Sequence, residues 1–228
     1  MYASFMQYGE VLVTGGTGLA GPPVCRALIG RGVLPRLLVR LGSEGKIPPE
    51  VRGRCRVTPG DLAVREFAEN AAQGTSAVVH LAGSWKESPK EGVSFREAIV
   101  HATDNAIHAA REWGIPRMIF LGVSGAKAGN SVSFLDAKGR AEEHVRNSGL
   151  SWTVFRAAPF YDLRDGTVCV AAGYLEDLAA AIADSLFRDD TIGRVYEPPA
   201  TERFPWEPSA APSVGESGFG HSPARATR

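Results

Sequence analysis

The chain has 228 residues, enough for one well-buried α/β domain with a small appendage and too few for two full domains. Lys plus Arg number 25 and Asp plus Glu number 25, so no bulk charge favours nucleic acid or an anionic membrane, and a small neutral or locally paired ligand is the easier partner to defend. Cys25, Cys55 and Cys169 form neither a C-x-x-C pair nor a disulfide ladder, residues 1–8 lack a signal-peptide pattern, and no apolar run reaches membrane-span length. These features predict a reduced, cytoplasmic setting, or an organelle matrix if a targeting segment has been removed.

Residues 11–14 form a β-branched run that feeds Gly15, Gly16, Gly18 and Gly21, and an apolar segment at helical spacing follows over 24–29. Gly16, Gly18 and Gly21 fit the G-x-G-x-x-G spacing, which permits a tight turn, close backbone approach to a pyrophosphate, and close packing of helix on strand. Amides at the helix start would face the phosphates. A second strand is predicted over 33–40, ending at Arg40, about where a binder of NAD places an acid for the ribose 2′-hydroxyl. An arginine there suits a 2′-phosphate and hence NADP(H), with NAD(H) the alternative if Arg40 merely opens the loop over 42–46.

A short strand over 55–58 runs into Gly60, Asp61 and Leu62. Asp61 and Leu62 could meet an adenine ring at the strand's carboxyl end, and Asp61 could also cap the helix predicted over 63–72. Residues 76–83 read as a continuous apolar strand covered on both faces, with His80 packed within it and small residues at its end. A helix over 94–113 places His101, Asn105 and His108 at helical spacing, a polar stripe on a two-sided helix rather than a metal site. The remaining elements are a strand over 117–124, a helix over 134–148, a strand over 152–156, a helix over 174–187 and a short strand over 193–197. Strands alternating with helices in this way predict a doubly wound parallel sheet, the Rossmann fold, over residues 1–200. Residues 201–228, rich in Pro, Ser, Ala and Gly, read as a flexible tail.

The ordered set of Gly15 to Gly21, Gly60-Asp61-Leu62, His80-Leu81-Ala82-Gly83, Asn105, Lys138 with Glu142, and Arg156 with Pro159 resembles the atypical and extended short-chain dehydrogenase/reductases. It is similar in particular to members related to the accessory subunit of respiratory complex I and to NmrA-like proteins. The resemblance covers residues 10–200 and implies a fold with a reduced C-terminal substrate lobe. It implies phosphate contacts from Gly15, Thr17, Gly18 and Leu19, with Gly21 packing the helix and Arg40 at the adenosine ribose. It further implies Asp61 and Leu62 at adenine, Leu81, Ala82 and Gly83 along the cofactor, Lys138 at the nicotinamide ribose, and Pro159 and Phe160 closing over the nicotinamide.

One departure bears on chemistry. The family's catalytic tyrosine stands four residues before its lysine, and here that position is Phe134, which has no proton to transfer. Ser124 stands near the family's serine, and Ser133, Asp136 or Tyr161 could in principle replace the proton donor. Lys138 could also be one more charge on a solvated helix. Three functions follow as alternatives. They are an NAD(P)(H)-dependent reductase, dehydrogenase or epimerase acting on a small organic substrate, a cofactor-binding regulator or accessory subunit without turnover, and an interaction module that binds no nucleotide.

Overall fold

The computed structural model describes residues 8–84, 86–87, 94–158, 172–197 and 226–227. The chain runs β1 (Glu10–Thr14), α1 (Gly21–Gly30), β2 (Leu34–Val39), a short α2 (Pro49–Arg52), β3 (Arg56–Pro59), α3 (Arg65–Ala72) and β4 (Ala77–His80). There follow a π-helical stretch (Arg96–His101) continuous with α4 (Ala102–Glu112), then β5 (Arg117–Val123), α5 (Ser133–Arg146), β6 (Ser151–Ala157), α6 (Ala172–Ser185) and β7 (Arg194–Tyr196). A two-residue β8 (Ala226–Thr227) completes the described chain.

The strand order is β3-β2-β1-β4-β5-β6-β7-β8, with every pairing parallel except the antiparallel β7 and β8. Strand order reverses between β1 and β4, which opens a crevice outside their carboxyl ends, the place where open α/β sheets bind ligands. The doubly wound architecture is therefore the predicted one. Because side chains alternate along a strand, each strand feeds two cores. Val11, Val13, Ile119 and Phe155 pack against α1 and α6, while Leu12, Val78, Phe120 and Val154 pack against α3, α4 and α5. Coverage on both faces explains why β4 and β5 are buried at every residue.

Several predicted boundaries move for local reasons. The strand predicted over 76–83 stops at His80. Leu81 still donates its amide to the Thr14 carbonyl at 3.1 Å, and the chain then leaves the sheet past the glycine loop. The helix predicted from residue 63 starts at Arg65, since Asp61 Oδ1 first accepts the Ala63 amide at 2.9 Å in a side-chain turn. The helix predicted from residue 94 opens with a wide π turn, which brings Ile99 and Val100 into the core. Most of the predicted tail lies outside the described residues. Ala226 and Thr227, however, pair with Tyr196 and Val195.

Candidate functional site

The site begins with the turn between β1 and α1. Gly15 has φ +74°, and a Cβ there would stand 2.6 Å from the Ala82 amide nitrogen and 2.7 Å from the Leu81 carbonyl carbon. Only glycine lets the turn lie against the chain leaving β4. At Gly21 a Cβ would fall 2.2 Å from the Gly16 carbonyl oxygen, so this residue sets how closely α1 approaches the turn. Inside the turn Gly18 donates to Gly15 at 2.9 Å and Gly21 to Gly18 at 3.1 Å. Among the described residues, nothing accepts from the amides of Thr17 or Leu19, which stand ahead of the α1 N-terminus. Leu19 is exposed, unusual for a leucine in so tight a turn. Free amides, a cradle without Cβ atoms and a following helix suit a pyrophosphate.

Arg40 is exposed and lies two residues past Leu38, the register partner of Thr14, so it stands at the crevice beside the glycine turn. Asp61 and Leu62 follow β3 at the same edge. Asp61 closes a side-chain turn on the Ala63 amide and does not cap α3, which starts after Val64 with no side-chain cap, and Leu62 is buried. Within the expected polar stripe Asn105 has a partner of its own, because its amide donates from α4 to the Leu62 and Ala63 carbonyls at 2.9 and 3.0 Å. That clamp fixes the loop bearing Asp61. His101 instead pairs with Glu97 at 2.9 Å on the surface.

His80 is fully buried between two hydroxyls, Thr14 Oγ1 at 2.7 Å from Nδ1 and Thr103 Oγ1 at 3.0 Å from Nε2. Thr103 spends its hydrogen on the Ile99 carbonyl at 2.6 Å, so it can only accept from His80. The network thus assigns the proton to Nε2, with Thr14 donating to Nδ1. Burial, helped by the nearby Lys138 charge, pushes the His80 pKa down to about 3. His80 is a neutral structural link between β1, β4 and the first turn of α4.

Lys138 departs from the solvated-charge alternative. It is 7% exposed, and its Nζ donates to the Leu121 carbonyl at 3.0 Å and lies 5.2 Å from the Phe120 ring centre. A Cβ on Gly83 would stand 3.1 Å from Nζ. The ammonium thus reaches from α5 across the ends of β4 and β5 to the crevice wall. Burial pushes its pKa down to about 8 from 10.5. With one acceptor among the described residues, the ammonium keeps donor capacity for a ligand.

The other proton-transfer candidates separate in space. Phe134 lies one turn before Lys138 and packs edge-to-face on Phe95 with ring centres 5.5 Å apart. Ser124 turns its hydroxyl toward the Arg156 carbonyl at 3.4 Å, while its amide bonds the Ala157 carbonyl at 2.8 Å. Asp136 accepts from the Gly129 amide at 2.6 Å and from Arg140 at 2.9 Å, and these donors hold its carboxyl below the usual carboxylate range. It holds no proton to give near neutral pH. Ser133 lines a cleft of about 610 Å³ on the outer side of α4 and α5, away from the glycine turn. Tyr161, Pro159 and Phe160 lie outside the described residues. Among the described residues no group of His, Cys, Asp and Glu could hold a metal, and no helix is long and apolar enough to cross a membrane.

The family resemblance includes Glu142 and Arg156 but implies no role for either. The structure joins them, Arg156 meeting both carboxylate oxygens of Glu142 at 2.8 Å. Nothing in the sequence marks two residues fourteen apart as partners, although their opposite charges were the available signal.

A family model described as NAD(P)H-binding matches residues 15–186. The chain is 30% identical over 154 residues to a ceramide reductase of Caulobacter vibrioides, covering 67% of this chain and 47% of that protein. It is 33% identical over 114 residues to a 2-alkyl-3-oxoalkanoate reductase of Stenotrophomonas maltophilia, covering 49% and 32%. A photosystem II assembly factor, Ycf39 of Cyanophora paradoxa, is 24% identical over 152 residues, covering 67% and 46%. The chain thus spans between a third and a half of these relatives' lengths. Among solved structures, one named as an NAD-dependent epimerase/dehydratase of Bacillus halodurans superposes with a TM-score of 0.68 at 23% identity, covering 82% of this chain and 92% of that one. The fold is the same.

Proposed function

The chain belongs to the NAD(P)H-binding family of short-chain dehydrogenase/reductase-like proteins, and from that premise we propose that it is an NADP(H)-dependent reductase or dehydrogenase of a small organic substrate. The buried Lys138 beside Gly83 carries this reading, since no carboxylate pairs with its ammonium among the described residues and a fold keeps such a charge only at a cost. The reductase names of two relatives support it.

The residues fit the cofactor. Thr17 and Leu19 amides, with Gly15 and Gly18, would hold the pyrophosphate, and Arg40 the 2′-phosphate that separates NADP(H) from NAD(H). Asp61 and Leu62 would border adenine, while Leu81, Ala82 and Gly83 would line the path to the nicotinamide. Lys138 would grip the nicotinamide ribose. When bound, the nicotinamide supplies or accepts the hydride. Phe134 cannot move a proton, so that task falls to Lys138 Nζ, whose pKa of about 8 lets it both hold and release one near neutral pH. Ser124 would orient a substrate oxygen at the end of β5.

A second reading rests on Phe134 alone. A protein that binds NADP(H) without turnover needs no proton donor, and native-state binding would still stabilise it. Following NADPH absorbance with aldehydes, ketones and 3-oxo acids separates the two. Turnover that vanishes in Lys138→Met supports the enzyme, and NADPH binding without turnover across that panel favours the non-catalytic protein.

A further inference from the structure

One guanidinium ties α5 to the far end of the sheet, a turn beyond Lys138. Arg156, on β6, grips Glu142 through Nε and Nη2 at 2.8 Å each, and its Nη1 bonds Glu197 beyond β7 at 2.8 Å. Glu197 uses its other oxygen to accept the Gly125 amide at 3.2 Å. Arg156 thus joins α5 to the end of β7, and Glu197 carries the link on to the loop that follows Ser124.

The place of this cluster suggests its purpose. Glu142 is four residues beyond Lys138, on the same face of α5 and one turn on. Lys138 bonds the Leu121 carbonyl, and the ion pair lies over the next residue, Gly122. A Cβ on Gly122 would meet Arg156 Cγ at 3.4 Å and Glu142 Oε2 at 3.5 Å. The Glu142 side chain is 3% exposed, and the bidentate fork fixes angle as well as distance. Both carboxylates and hydrogen bonds keep Arg156 firmly protonated, above its ordinary value.

We propose that Arg156, Glu142 and Glu197 are positioning residues that set the reach of Lys138 across β5 and the pose of the Ser124–Gly125 turn, and so control the nicotinamide half of the site alone. The glycine turn and Arg40 lie on the far side of the strand reversal and share no contact with this cluster among the described residues. The inference rests on the cofactor reading of Lys138 given above.

Its test compares two nucleotides on Glu142→Gln and Arg156→Lys. NADPH spans both halves of the site, whereas 2′,5′-ADP carries only the adenosine end. Both variants are expected to lose about tenfold in NADPH affinity, the scale of one charge-assisted hydrogen bond, and to keep 2′,5′-ADP affinity within about twofold. Equal losses for both nucleotides, or no loss for either, overturn the inference. A second readout is independent of binding. The chain has five lysines, so ¹³C-methylated lysine NMR can follow Lys138, assigned by its absence in Lys138→Met. Its signal should move in Glu142→Gln and in Glu197→Gln, neither of which adds a lysine and the second of which alters the more exposed carboxylate and spares the buried one. A fixed signal in both overturns the inference. If Lys138→Met binds NADPH as tightly as wild type, the cofactor reading of Lys138 fails, and the NMR outcome alone then sustains or overturns the positioning role.

Discussion

Replacing Lys138 with Met should make the protein more stable at neutral pH while weakening its cofactor site. The lysine's pKa falls from 10.5 to about 8 on burial. At about 1.4 kcal/mol per tenfold change in proton affinity, keeping the ammonium in the fold costs about 3 kcal/mol. Met fills a similar volume without charge but forfeits the bond to the Leu121 carbonyl, worth about 1 kcal/mol. The net gain is about 1–2 kcal/mol, or a rise in Tm of about 2–8 °C for a chain of this size. The sign with pH is fixed. Below pH 8 both folded and unfolded wild type hold the proton, and the penalty is complete. From about pH 8 to 10.5 the unfolded chain keeps a proton that the native state has shed, so wild-type stability rises relative to the variant. Melting curves of the pair at pH 7 and pH 10 check this, with the variant's advantage shrinking at the higher pH. A variant less stable than wild type by the same margin at both pH values would refute the reasoning.

The remaining predictions concern the crevice and its supports. Arg40→Asp should lower NADPH affinity by about 10- to 100-fold, the loss of a charge-assisted phosphate contact, and NADH affinity far less; equal losses by calorimetry would remove Arg40 from the ribose. Gly15→Ala must adopt φ +74° and push Ala82, at a combined cost of about 2–5 kcal/mol, read as a lower denaturation midpoint. An unchanged midpoint would contradict the packing of the turn on β4. Thr103→Val leaves the His80 Nε2 hydrogen without its acceptor and should cost about 1–3 kcal/mol, with no dependence on pH between 5 and 8 because His80 stays neutral there. A loss that varies through that range would show that His80 titrates. Phe134→Tyr restores a phenol one turn before Lys138 and should raise reductase turnover, and unaltered turnover would show that the ring at this position does not reach the reacting oxygen.

The parts of this protein visible in its sequence are those written in local pattern. The parallel sheet follows from unbroken apolar strands such as β4 and β5, and the crevice from a glycine run between a strand and a helix. Both signals span fewer than a dozen residues. What stayed hidden depends on pairs far apart in the chain. Whether Lys138 is buried is decided by Leu121 and Gly83, and neither is marked as a partner. Asn105 looked like part of a polar stripe because its acceptors, the carbonyls of Leu62 and Ala63, are backbone groups that carry no sequence signature. The π turn before α4 is similarly silent, since a single added residue in a helix leaves the apolar period nearly intact.

Every role assigned to the crevice between β1 and β4 depends on its binding NADP(H). Titration of the wild-type protein with NADPH and NADH, followed by tryptophan fluorescence and by Tm, tests it most directly. Saturable binding of both is expected, with NADPH the tighter and a Tm that rises with nucleotide concentration. No saturation and no shift in Tm with either nucleotide would contradict it.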